Sequence, residues 1–195
     1  MKTPAAVLAI ALALLAAPAA RAQPVSARSG PDTYLELDLG AFLPQAKDLD
    51  RFDPGVALSG TFGAMFSRYV GAEASLGYYR ATATLGAAPL ATDVALNVMP
   101  VLVNLRLVAP FKSMELSARA GPGIHFASLH SSGGASAWDT ATAFGFQVGG
   151  SAAFNLSPTM LVGLDALWTF AEATFGGIDT RIDGVIVSVK LGYRL

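Results

Sequence analysis

Seven charged side chains, Glu36, Asp38, Glu73, Arg106, Arg119, Asp165 and Lys190, share one setting: each is flanked directly by apolar neighbours. Glu36 lies between Leu35 and Leu37, Arg106 between Leu105 and Leu107, and Lys190 between Val189 and Leu191. Side chains on a strand alternate between two faces, so each charge points away from the apolar residues beside it. The chemistry this favours is ion pairing among enclosed charges, because a buried charge persists only when paired and hydrogen-bonded. Catalysis and cofactor binding find less support. The chain has no cysteine, so thiol chemistry, disulfides and a lipid-modified cysteine are excluded. No His, Cys, Asp or Glu spacing suits a metal, and no glycine-rich loop has the form that cradles phosphate. His125 alternates with Gly121 and Gly123 on one face of its segment and reads as an internal hydrogen-bonding group.

Eight segments must position these charges, each with a period of two. They span residues 33–43, 55–66, 70–79, 93–108, 114–126, 143–154, 160–170 and 182–195. In the first, Leu35, Leu37, Leu39 and Ala41 oppose Glu36, Asp38 and Gly40. In the last, Val185, Val187, Val189, Leu191, Tyr193 and Leu195 oppose Gly184, Ile186, Ser188, Lys190, Gly192 and Arg194. The fourth changes rhythm: Val94, Leu96 and Val98 are its apolar set at first, then Val103, Leu105 and Leu107. Proline cannot donate to a ladder, so a β-bulge is expected at Met99 and Pro100.

The connections alternate in length. Residues 67–69, 110–113 and 155–159 read as short turns, while 44–54, 80–92, 127–142 and 171–181 read as long loops. Ahead of the first segment, Lys2, the apolar stretch 6–15 and the small-x-small site at Ala20, Arg21 and Ala22 suggest a cleaved secretory signal over residues 1–22. Residues 23–31 would then be a periplasmic linker, and 32–195 a single domain. Cleavage removes Lys2 and Arg21 and leaves the mature chain more acidic than the formal −1 of the full sequence. With no basic excess, nucleic acid is not an expected partner. Hydrophobic residues make up 53% and charged ones only 14%, yet no mature stretch has the length of a membrane-spanning helix. A closed β-barrel reconciles these facts, since it pairs every backbone group between strands.

The expected fold is therefore all-β: an eight-stranded antiparallel up-and-down transmembrane barrel with short periplasmic turns and longer extracellular loops. A soluble ligand-binding barrel is the rival, with the same strand count and the faces reversed. Composition decides between them. The apolar sets carry no charge, and the opposite sets are dominated by Gly and Ser, which suit a narrow lumen better than a water-facing surface. Aromatic residues also gather at both ends: Phe66, Tyr69, Phe111, Phe154 and Tyr193 at the turn rim, and Tyr78, Phe126, Phe144, Trp168 and Phe170 toward the loops. Two interfacial girdles fit this placement.

On these residues the chain resembles the small eight-stranded outer-membrane β-barrel proteins of Gram-negative bacteria, the OmpA/OmpX-like group. The terminal stripe Val189, Leu191, Tyr193 and Leu195 is similar to that family's C-terminal assembly signal, except that Leu195 replaces the usual final Phe. The resemblance implies outer-membrane lipid and lipopolysaccharide as surroundings, and the barrel-assembly machinery and periplasmic chaperones as partners during biogenesis. It implies no cofactor. A structural or surface-interaction role is expected, with the lumen plugged by an ion-pair network over the seven charges. In that network Lys190 would sit between Glu36 and Asp165, and Glu73 would meet Arg106. One alternative is an OmpW-like narrow passage for small hydrophobic molecules, marked by an open apolar lumen near Tyr79, His125 and Gln147. A weaker one is a lipid A-modifying enzyme, because His130, Ser131 and Ser132 in a glycine-rich loop are faintly similar to the His-x-Ser pair of such barrels. No residue is assigned a catalytic role.

Overall fold

The computed structural model describes residues 32–85, 92–132 and 137–195. The expected signal segment, the linker 23–31 and parts of two long loops lie outside them. Among the described residues the strands are β1 (Asp32–Pro44), β2 (Gly55–Met65), β3 (Val70–Leu85), β4 (Thr92–Pro110), β5 (Met114–Ser132), β6 (Ala137–Asn155), β7 (Met160–Phe175), β8 (Ile178–Arg181) and β9 (Gly184–Arg194). Every pairing is antiparallel. Sequential neighbours pair from β1 to β7, and β9 pairs with both β7 and β1, which closes a ring of eight. The short β8 only doubles back on the outer end of β7, from Glu172↔Arg181 to Phe175↔Ile178.

The faces are set as expected over the turn-side half of the barrel. Leu37 is 61% exposed and Leu39 66%, while Glu36 and Asp38 between and beside them are 1% and 2%. The apolar stripes thus form the outer wall, and the Gly, Ser and charged stripes line the axis.

The expected bulge does not occur. Leu76 stands opposite Val101 and Tyr79 opposite Val98, so one register holds on both sides of Pro100. Burial alternates without a skip from Val94 to Arg106. The ring of Pro100 interrupts pairing toward β3 but not toward β5, where Pro100 stands opposite His125. What changes at this level is the chemistry of the two faces. Beyond Pro100, Val94, Leu96 and Val98 point inward, 8%, 1% and 0% exposed, and Asp93, Ala95 and Asn97 take the outward parity. Neighbouring strands do the same: Ala81, Ala83, Ala127, Ala143, Ala171 and Ala173 are buried, while Arg80, Thr82, Thr84, Thr142 and Glu172 are exposed.

The long loops are shorter than expected for the same reason. Much of 80–92, 127–142 and 171–181 continues the strands, so β4, β5 and β6 each reach 19 residues. A tilted strand crosses the hydrocarbon with about 9–11 residues. The remainder stands above the membrane, where water lies outside and the apolar parity must turn inward. The β1–β2 connection also folds over the mouth, and the 3₁₀ turn Lys47–Leu49 buries Leu49 to 3% exposure.

Candidate functional site

The lumen holds two layers. The lower, nearer the short turns, is polar and is built from inward positions of β1, β3, β4, β5, β7 and β9. Arg106 of β4 is its hub. Its Nη1 lies 2.6 Å from Glu36 Oε1 and 3.6 Å from Glu73 Oε2, and its Nη2 lies 3.1 Å from Glu115 Oε1. The guanidinium also rests over the Tyr34 ring, 4.7 Å from its centroid, while the Tyr34 hydroxyl donates to Glu73 at 2.9 Å. Gly63 leaves the room that the Tyr34 phenol occupies, since a Cβ there would overlap it unless the phenol shifted.

Three further links complete the layer. Lys190 Nζ meets Glu36 Oε2 at 2.8 Å across the β1–β9 seam. Arg119 reaches Glu73 at 3.3 Å and pairs with Asp165. Arg194 meets Glu115 at 2.6 Å near the rim. Asp38 accepts the Ser59 hydroxyl at 3.2 Å, and Asn104 donates to Glu73 at 3.4 Å. The expected bridging of Asp165 by Lys190 gives way to the Arg119 pair. Gly149, opposite both Arg119 and Leu167, has no side chain to interpose between Arg119 and β7. Sequence reasoning missed Tyr34, Asn104, Glu115 and Arg194. Their signal was available: each has the inward parity of its strand, and Glu115 and Arg194 stand between apolar or aromatic neighbours as the other lumen charges do.

A cavity of about 30 Å³ adjoins this layer, lined in part by Asp38, Thr61, Ser75, Tyr79, Gln147 and Ser188. Such a space suits a water molecule and excludes a solute. Above it His125 is fully buried, and the upper layer is apolar. There Phe42 stacks on Tyr79 with ring centroids 4.3 Å apart, and Leu96, Val98, Phe175, Ile182 and Leu49 pack around them. The region around Tyr79, His125 and Gln147 is therefore closed, with its apolar side filled by the protein's own residues.

His130, Ser131 and Ser132 belong to β5 and not to a loop. His130 tilts against Trp138 at 5.4 Å, and the Ser132 hydroxyl donates to the Asp93 carbonyl at 3.4 Å. Among the described residues no serine or carboxylate is hydrogen-bonded to His130, so the relay a serine nucleophile needs is not assembled. The terminal stripe lies on the outer face: Leu191, Tyr193 and Leu195 are about half exposed, and the Leu195 amide donates to the Thr33 carbonyl at 2.9 Å.

A closed ring with an apolar outer wall, a buried ion-pair network in the lumen and girdled rims is the build of a small outer-membrane barrel. The chain belongs to the family of the outer membrane protein beta-barrel domain, which it matches over residues 7–194. Among solved structures it is similar to the outer membrane protein OprG of Pseudomonas aeruginosa, with a TM-score of 0.58 and 12% identity over 88% of this chain and 99% of that one. A major outer membrane protein of Thermus thermophilus gives 0.57 and 14% over 85% and 100%. Ail, the attachment invasion locus protein of Yersinia pestis, gives 0.53 and 15% over 85% and 99%. At these identities the likeness is one of fold. A comparison with curated proteins found no match.

Proposed function

We propose that the protein is a structural or surface-interaction element of the outer membrane, non-enzymatic, whose lumen is plugged and does not conduct. The observation that carries this reading is Arg106 held by Glu73 and Glu115 of the flanking strands β3 and β5 and by Glu36 of β1 across the lumen. Eight strands enclose little more room than side chains occupy, so a cross-braced layer leaves no continuous water path. The extension of β4, β5 and β6 above the membrane supports a role at the surface. Planar-bilayer recording on the purified barrel tests the plug. Baseline leak is expected, and steady openings of constant size would sink it. During biogenesis, the outward stripe Val189, Leu191, Tyr193 and Leu195 is the segment we assign to the assembly machinery, with periplasmic chaperones holding the chain beforehand.

A second reading, passage of small hydrophobic molecules, is favoured by the apolar upper lumen. Entry would require the Lys47–Leu49 turn to lift, because Leu49, Phe42 and Ile182 fill the space. Its test is a fluorescent hydrophobic probe whose uptake by the purified barrel rises in Leu49→Asp. Equal uptake by both forms would remove this reading.

A further inference from the structure

Outside the lumen, at the loop rim, a cleft of about 430 Å³ opens between the β1–β2 connection and the outer face of β7. Its floor is Trp168 and Phe170, whose rings stack at 5.7 Å between centroids with planes 5° apart. Both face the hydrocarbon side, 46% and 36% exposed. Its upper wall carries Lys47, Asp48, Arg181 and Asp183. The four formal charges cancel in number but not in arrangement. Asp183 takes the Arg181 guanidinium at 2.5 Å and the Ala171 amide at 3.0 Å, and Asp48 takes the Arg181 amide at 2.9 Å. Both carboxylates thus have protein donors. Lys47 is exposed and has no ion pair among the described residues, and the Arg181 side chain is 62% exposed.

We propose that this cleft binds a phosphorylated lipid of the outer leaflet, with its chains along Trp168 and Phe170 and its phosphate on Lys47 and Arg181. The level fits: the aromatic pair belongs to the loop-side girdle, and the cations stand directly above it, where phosphates of the leaflet lie. An amphiphile needs this order of apolar floor and cationic wall, whereas a free anion gains nothing from the stacked rings. The site lies on the outer wall, so it stands whether or not the lumen conducts.

The chain has two tryptophans, Trp138 and Trp168, so Trp138→Phe makes Trp168 the sole reporter. The full barrel in a non-ionic, phosphate-free detergent is titrated with bisphosphorylated lipid A and, separately, with the same lipid stripped of phosphate. A saturable change in Trp168 emission is expected with the first and a weak, non-saturating one with the second. Lys47→Glu in this background should weaken binding by about fivefold or more, following the attraction of a single interfacial lysine to anionic lipid. Lys47→Gln should fall between the two and serves as the reading if the charge reversal disturbs the rim. Heat-modifiable mobility verifies that each variant is folded. Equal responses to both lipids, or full affinity in both Lys47 variants, would overturn the assignment.

Discussion

Arg106 bears three carboxylates in a setting only 3% exposed, so its loss is felt by all of them at once. Arg106→Met is expected to destabilise the barrel by about 3–5 kcal/mol, because it leaves buried carboxylates without a cation. Adding Glu36→Gln should recover part of that loss. Urea unfolding from lipid vesicles measures both. Arg194→Met provides the contrast: its side chain is 23% exposed at the rim, and its pair with Glu115 should contribute less than about 1 kcal/mol. The charged residues of the lumen can be read from flanking apolar pairs alone, as Glu36 and Lys190 show. Their partners cannot. A barrel staggers its strands, and Arg119 reaches past Gly149 to Asp165, a diagonal that the order of the strands does not reveal.

Strand β4 carries the main lesson about elements. A bulge between its two apolar sets, Val94 to Val98 and Val103 to Leu107, is needed only if greasy side chains face lipid along the whole strand. The backbone keeps its alternation, and the solvent changes instead. The same assumption turns the ends of β3, β5 and β6 into loops, since most of their outward residues, among them Arg80, Thr82, Ser132 and Thr142, are polar. It hides the outer end of β7 as well, where Glu172 and Thr174 point outward. Where one environment holds, as on β1 from Leu35 to Leu39, pattern and structure agree. The inversion is testable on one strand. Val103→Arg, at the middle of the lipid-facing stretch, should cost about 2–4 kcal/mol, whereas Ala95→Arg, on the same parity but above it, should cost no more than about 1 kcal/mol. Equal costs by equilibrium unfolding would refute the level assigned to the change.

For the whole molecule, the absence of native cysteine makes topology directly measurable. Thr82→Cys should react with a membrane-impermeant maleimide on intact cells, and Lys112→Cys, in the β4–β5 turn, only after the outer membrane is permeabilised. The reverse pattern would turn the barrel upside down. One more property follows from the seam. The ring is joined where β1 meets β9, from Tyr34↔Arg194 to Pro44↔Gly184, so the first strand waits for the last. Until then β1 and β7 each present a bare edge, and Glu36 is without its ammonium from Lys190. Bare edges recruit other chains, and contacts this remote in sequence form slowly. Synthesis therefore passes through no smaller version of the barrel able to rest in lipid: a chain stopped before residue 184 is expected in aggregates or degraded, because the final eleven-residue strand is what turns a sheet into a wall without ends.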